Sequence, residues 1–140
     1  MSKTFEEIES STGVVTKYRR HPNGRGHVAA TAKVDRSVFL DRTSYVEPGA
    51  TVAKGAWIGA GSWIDEDAVV GPRAFVGANV HIGARATVGR DTRIGSHSRI
   101  GADSSIAATV RLPHDTRVPD RTIIDVPPRG DGKKSFARAA

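Results

Sequence analysis

Residues 70–87 read VGPRAF-VGANVH-IGARAT, three consecutive six-residue units that each begin with an aliphatic residue. The fifth residue of each unit is Ala or Val. The period continues without a slip in both directions, so that sixteen such units occupy residues 28–123. A helix repeats near 3.6 residues and an extended strand near 2, so a period of six fits neither element alone. It predicts a solenoid in which a short strand and a turn alternate.

The order of the unit is aliphatic, Gly/Ala/acidic, two variable residues, small, and one variable residue, and it resembles the hexapeptide-repeat superfamily of bacterial transferases. The resemblance covers residues 28–123. It implies an all-β chain, a left-handed parallel β-helix of about five triangular coils with three units in each coil. Residues eighteen apart would then lie in neighbouring coils, one above the other.

The repeat divides the chain into three predicted segments. Residues 1–27 form an N-terminal cap and lead-in, with a β-prone stretch at residues 14–18 that covers the first coil and one helical turn at residues 4–9. Residues 28–123 form the β-helix, and residues 124–140 form a polar C-terminal tail that we expect to be disordered alone beyond residue 128.

Composition removes several function classes. The chain has 140 residues, enough for one domain, and it contains no cysteine, which excludes a disulfide framework, a thiolate metal site and a cysteine nucleophile. No apolar run is long enough for a membrane span, and the first residues lack the apolar core of a signal peptide. We therefore expect a soluble, cytoplasmic protein without a membrane partner.

The net charge of +6 is spread along the chain. Residues 28–81 carry 5 basic and 6 acidic residues, whereas residues 82–123 carry 7 and 4, so positive charge gathers late in the repeat. A nucleic-acid partner is not favoured, because binding to phosphates needs the charge concentrated on one element.

The sixth position of each unit should point outward, and residues eighteen apart there should form ladders. Two ladders begin aromatic and end in arginine. The first contains Phe39, Trp57, Phe75, Arg93 and Arg111, and the second contains Tyr45, Trp63, His81, Arg99 and Arg117. The aromatic residues either stack to stabilise successive coils or form an interface. The arginines either extend into water or meet an anionic partner.

A second, local resemblance concerns catalysis. Residues 112–118 are similar to the segment around the general-base histidine of lipid A type acyltransferases, and the resemblance implies His114 as base with Asp115 beside it. Residues 79–84 are similar to another segment of that family, but Ala84 stands where its catalytic histidine belongs. The histidines of the repeat occupy different positions in their units, so we predict no metal site.

Two hypotheses follow from these observations. The preferred one is a non-catalytic structural or interaction module without cofactor, homotrimeric by resemblance and part of a larger assembly. It would bind a protein partner with an acidic face through the aromatic residues and arginines of the two ladders. The alternative is a small O- or N-acyltransferase that uses acyl-CoA or acyl-carrier protein, with His114 and Asp115 at a subunit interface. The preferred hypothesis makes the chain a non-enzyme.

Overall fold

A computed structural model describes residues 5–9, 15–125 and 138–139. Within these ranges it contains twenty strands and no helix, and therefore no helix that could cross a lipid bilayer. The strands are β1 (Phe5–Glu9), β2 (Val15–Arg20), β3 (His27–Ala29), β4 (Lys33–Val34), β5 (Phe39–Leu40), β6 (Tyr45–Val46), β7 (Thr51–Val52), β8 (Trp57–Ile58), β9 (Trp63–Ile64), β10 (Val69–Val70), β11 (Phe75–Val76), β12 (His81–Ile82), β13 (Thr87–Val88), β14 (Arg93–Ile94), β15 (Arg99–Ile100), β16 (Ser105–Ile106), β17 (Arg111–Leu112), β18 (Arg117–Val118), β19 (Thr122–Ile124) and β20 (Arg138–Ala139).

The coil strands form three parallel sheets, which are the three faces of a β-helix. Face 1 contains β3, β6, β9, β12, β15 and β18, face 2 contains β4, β7, β10, β13, β16 and β19, and face 3 contains β5, β8, β11, β14 and β17. Paired residues are eighteen apart, as in the pairing of Tyr45 with Trp63 and of Trp63 with His81. The predicted all-β fold of about five stacked coils is confirmed.

The core is a stack of the aliphatic residues that open each unit. Leu40, Ile58 and Ile94 on face 3 have no exposed surface, and alanines at the fifth position, such as Ala74, fill the corners beside them. Burying one such side chain contributes about 1.5–3 kcal/mol. The repeat therefore builds its core from one large and one small residue per unit.

Serines at some buried corners are explained by hydrogen bonds between coils. The Ser62 hydroxyl donates to the carbonyl oxygen of Gly77 at 2.7 Å and accepts from the backbone N–H of Val80 at 3.1 Å. The residue eighteen positions earlier, Ser44, repeats the pattern with Gly59 and with Ser62 itself. A buried hydroxyl is stable here because both of its hydrogen-bonding roles are satisfied.

From residue 49 onward, each corner turns through a left-handed residue at the fourth position of the unit. Glycine fills this position at Gly49, Gly55 and Gly61, but from Asp67 to Arg121 it is filled by other residue types with φ between 55° and 65°. Hydrogen bonds between coils hold these turns, as when Arg73 N donates to Lys54 O at 2.9 Å. The turn geometry therefore persists where the side chain does not favour it.

The first coil is covered as predicted, because β2 lies antiparallel to β3 with Tyr18 opposite Ala29. The helical turn predicted at residues 4–9 is wrong, since Phe5–Glu9 forms a strand antiparallel to β2. Pairing with a neighbouring strand outweighs the weak local preference for a turn. At the other end, Arg138–Ala139 lies antiparallel to β19. The rest of the predicted tail beyond residue 128, together with Thr4 and Val14, lies outside the described residues.

Candidate functional site

The aromatic ladder of face 3 is a continuous stack. The rings of Phe39 and Trp57 lie 5.2 Å apart and those of Trp57 and Phe75 lie 4.8 Å apart, with interplanar angles of 18° and 3°. The guanidinium carbon of Arg93 lies 4.8 Å from the centroid of the Phe75 ring. Because the ring faces cover one another, Trp57 presents its edge to solvent, with 40% of its surface exposed.

The ladder of face 1 has polar contacts as well as stacking. Trp63 stacks on His81 with a centroid distance of 4.4 Å, and its indole N–H donates to Glu47 Oε2 at 2.6 Å. The Tyr18 hydroxyl donates to the other oxygen of Glu47, also at 2.6 Å. Burial, and then Glu47, raise the pKa of Tyr18 above its ordinary value. Trp63 is therefore held in one orientation although 43% of its surface is exposed.

His81 and Asp65 form a histidine–carboxylate pair on this face. His81 Nε2 lies 3.1 Å from Asp65 Oδ2, and the two side chains are 28% and 23% exposed. The other carboxylate oxygen of Asp65 accepts the Glu66 N–H at 2.7 Å, which fixes its orientation. Since a carboxylate accepts, the neutral imidazole carries its proton on Nε2 and keeps a free lone pair on Nδ1. A histidine oriented in this way can act as a general base.

The pair lies in a groove of about 450 Å³ on the later coils. Arg99 and Arg117 continue the ladder below His81 and line the same groove, and Pro119 adds apolar surface to it. Within residues 17–125 neither arginine forms a salt bridge.

Two arginines at the corners, Arg73 and Arg85, are neutralised instead. Arg73 binds Asp91 and Arg85 binds Asp103 through two hydrogen bonds each, and these bonds lower the pKa of both carboxyl groups. The arginines of the ladders therefore differ from these two corner arginines in having their charge available to a ligand.

The groove also contains a backbone donor without an acceptor. The equivalent N–H groups of Ala78 and Ala102 each donate to a side chain eighteen residues later, Ser96 Oγ and Asp120 Oδ1, both at 3.0 Å. The residue eighteen after Ala84 is Ala102, which offers no oxygen, and the Ala84 N–H has no hydrogen bond within the described residues. Ala84 lines the groove, so this donor is placed to bind an oxygen of a ligand.

His114 and Asp115 occupy the turn between faces 3 and 1 in the last coil. His114 Nδ1 accepts the Ser96 N–H at 2.9 Å, which places the ring proton on Nε2. Asp115 has a φ of 61° and donates its own N–H to Ser96 O. No hydrogen bond joins His114 to Asp115 in the part of the chain that the structure describes. His114 therefore presents a donor to solvent.

The structure brings some of the predicted site residues together and separates others. Arg99 and Arg117 share a groove with His81, whereas Arg93 and Arg111 line a separate groove with His114. Among the described residues no group of three histidines or carboxylates could hold a metal ion. His81 and Asp65 are not among the pairs predicted from the sequence. The register does bring them near each other, because Asp65 comes two residues after Trp63, the residue paired with His81.

Comparison with known proteins supports the fold. The family described as "Bacterial transferase hexapeptide (six repeats)" matches residues 67–102, and no curated protein sequence matches the chain. This match and the parallel β-solenoid confirm the predicted resemblance to the hexapeptide-repeat superfamily.

Solved structures that are similar to the chain include two acetyltransferases. The acetyltransferase domain of PglB from Neisseria gonorrhoeae FA1090, in complex with acetyl coenzyme A, is 24% identical with a TM-score of 0.55, and the match covers 77% of this chain and 56% of that one. The hexapeptide-repeat containing acetyltransferase VCA0836 from Vibrio cholerae is 14% identical with a TM-score of 0.52, covering 72% and 65%. The chain thus spans less than two thirds of either protein, and the similarity shows a shared fold.

Proposed function

We propose that this hexapeptide-repeat protein is an acyltransferase, with His81 as the general base and Asp65 as the residue that orients it. The observation that carries the proposal is the 3.1 Å contact between the two side chains inside an open groove. Solved proteins with the same fold are acetyltransferases, which supports this alternative over the non-catalytic module preferred from sequence. The proposal also moves the base from His114 to His81.

The donor is an acyl thioester, of coenzyme A or of an acyl-carrier protein, and it supplies an activated carbonyl carbon. His81 Nδ1 takes the proton of an acceptor hydroxyl or amine as the acceptor atom bonds to that carbon. Asp65 stabilises the imidazolium that results. The Ala84 N–H stabilises the negative charge on the carbonyl oxygen. The carbon–sulfur bond then breaks, and His81 returns the proton to the departing thiolate.

The groove has the donor set that a coenzyme A thioester needs. Arg99 and Arg117 can bind the phosphates of the coenzyme, because each guanidinium offers several donors and no acceptor. Ala84, Ala102 and Pro119 supply apolar surface for its pantetheine chain. Arg99 and Arg117 should therefore contribute to KM, and His81 to kcat.

The test is thiol release from acetyl-CoA with a panel of amine and hydroxyl acceptors. We expect His81→Ala to lower kcat by about 10²- to 10⁴-fold, which is the usual contribution of a general base. Asp65→Asn should lower it less, because the base remains. The matched controls are His97→Ala and His114→Ala, which should keep full turnover. Acceptor-dependent turnover that survives His81→Ala, or is abolished by His114→Ala, would disprove the assignment.

A second function is supported by a separate observation, the exposed edges of Trp57 and Trp63 on neighbouring faces. Large aromatic side chains at a surface commonly anchor protein interfaces. They fit contacts between subunits, such as those of the homotrimer that the resemblance implies, or contacts with another protein. Sedimentation of the Trp57→Ala/Trp63→Ala variant tests this role, which predicts a lower mass or the loss of a co-purifying partner. An unchanged mass and unchanged partner binding in this variant would indicate that the two tryptophans only stack between coils.

A further inference from the structure

A second groove lies on face 3, around the corner from the His81 groove. Its volume is about 420 Å³, and it shares no lining residue with the first. Its polar side chains are Arg93, Arg111 and His114, and its apolar lining includes Phe75 and Leu112. Among the residues that the structure describes, no carboxylate side chain lines it.

All three polar side chains of this groove are hydrogen-bond donors. Arginine has no acceptor atom. His114 could accept through one ring nitrogen, but Nδ1 already accepts the Ser96 N–H at 2.9 Å. A backbone N–H can only donate, so the proton of the neutral ring must lie on Nε2. A ligand in this groove must therefore accept hydrogen bonds from every polar side chain it meets.

The groove also carries charge that nothing in the described chain neutralises. Arg93 and Arg111 are paired in register on adjacent strands, which places their backbones about 4.8 Å apart. Neither forms a salt bridge within residues 17–125, whereas Arg73 and Arg85 are each paired with an aspartate. The guanidinium of Arg93 lies over Phe75, which restricts its position. Like charges on adjacent strands repel each other, and an anion bound between them would relieve that repulsion.

We propose that this groove binds phosphoryl groups of a small molecule, either a phosphate ester or inorganic pyrophosphate. A phosphoryl group offers several acceptor oxygens and up to two negative charges, which match two guanidinium groups and one imidazole N–H. A carboxylate offers only one charge and two oxygens. The site is independent of acyl transfer, because none of its residues lines the groove that contains His81 and Asp65.

Calorimetric titration of the full chain with inorganic pyrophosphate, at constant ionic strength, tests the charge requirement. We expect binding that weakens about tenfold in Arg93→Gln and in Arg111→Gln, the effect of about 1.4 kcal/mol. The matched controls are Arg73→Gln and Arg85→Gln, which remove a paired charge, and Arg121→Gln, which removes a charge that forms no salt bridge within residues 17–125 and lies in neither groove. An equal loss in all five variants would mean that pyrophosphate senses total charge, and this would overturn the proposal.

His114→Asn tests the contribution of the His114 Nε2–H group and keeps a side-chain acceptor for the Ser96 N–H. An asparagine Oδ1 can accept the Ser96 N–H, as Asp120 Oδ1 accepts the Ala102 N–H, but it lacks the Nε2–H. We expect the fold to be kept, pyrophosphate binding to weaken, and the Ser96 amide resonance to shift on titration only in the parent. Unchanged affinity in His114→Asn, or no binding by the parent, would contradict the site.

Three further titrations distinguish the possible ligands from one another and this proposal from the acyltransferase proposal. Tighter binding of adenosine diphosphate than of pyrophosphate would identify a nucleotide as the ligand, and equal binding would identify the phosphoryl groups alone. Acetate that binds as tightly as pyrophosphate would overturn the assignment. Pyrophosphate should still bind to His81→Ala, so failure of the acyltransferase proposal would leave this one standing.

Discussion

Tyr18 donates a hydrogen bond from its phenolic hydroxyl to Glu47 Oε1 at 2.6 Å, although the two residues are 29 positions apart. Tyr18 lies on the strand that covers the first coil, and only 5% of its surface is exposed. Because Glu47 also accepts the indole N–H of Trp63, one carboxylate joins the N-terminal strand to two successive coils. The cap is therefore fastened by a side-chain network as well as by strand pairing.

Tyr18→Phe should lower the free energy of unfolding by about 1–2 kcal/mol, because a partly buried hydrogen bond to a charged group is lost. Urea denaturation followed by tryptophan fluorescence measures the change. The matched control is Tyr45→Phe, since the Tyr45 hydroxyl has no hydrogen bond within the described residues. Equal losses in both variants would assign the effect to ring packing and not to Glu47.

Stability should fall as the pH drops below about 6.5, the ordinary pKa of histidine. Burial lowers the pKa of His21, which is 2% exposed and lies with Nε2 2.8 Å from Val38 O. The unfolded chain therefore binds a proton at a higher pH than the folded chain does. Stability from the neutral ring is complete above the unfolded pKa and is lost as the pH falls from there toward the folded pKa.

Denaturant melts between pH 7.5 and pH 5 measure this slope for the parent and for His21→Gln, a side chain that can donate to Val38 O without titrating. The window lies well above the ordinary pKa of aspartate, so Asp35 and Asp41, whose pKa values are lowered by hydrogen bonds from Ser37 and Thr43, do not contribute. The variant should show a smaller slope. The same slope in both proteins would rule out His21 as its source.

Ala102→Ser should slow acyl transfer about 10- to 100-fold, because its new hydroxyl can accept the Ala84 N–H that the mechanism needs for the carbonyl oxygen. Ser96 accepts the Ala78 N–H in this way one unit earlier. The matched control is Ala78→Ser, which offers the same hydroxyl to the Ala60 N–H outside the groove. Steady-state turnover should separate the two variants, and equal rates would remove Ala84 from the mechanism.

Thr109→Asn should raise the free energy of unfolding by about 0.5–1 kcal/mol, because a β-branched residue is strained at positive φ and asparagine is not. Thr109 has a φ of 65°, and Asn79 occupies the same position of its unit with a φ of 56°. Thermal and urea melts measure the gain. Thr87→Asn, on a strand, should lower stability instead. A loss at position 109 would show that the Thr109 hydroxyl contributes more than the strain costs.

Most of the fold could be predicted because each six-residue unit contains one strand and one turn, so the period locates both elements. Leu40, Ile58 and Ile94 fall on one face by counting alone, and the pairing of Phe75 with Arg93 follows from the same count. Residues 4–9 could not be predicted in this way, since they lie outside the repeat. Their strand depends on a partner, β2, that a local pattern does not reveal.

The candidate site was harder to predict because it depends on diagonal contacts. His81 and Asp65 are sixteen residues apart, and so are Trp63 and Glu47, so neither pair lies in one ladder. Such contacts need the length and rotamer of two side chains, which a column of letters does not contain. The resemblance drew attention to His114, whose Nδ1 is occupied by a backbone amide that the sequence cannot show.

The eighteen-residue register has a consequence for how such a chain can change in length. Insertion of one six-residue unit before Arg93 would keep the aliphatic core in phase but carry every later residue to the next face. Arg93 and Arg111 would then leave their groove, and Arg99 would no longer lie below His81. Insertion of three units would leave each of those residues on its present face. Growth or shortening by whole coils thus keeps every residue on its face, whereas growth by a single repeat moves all later residues to another face.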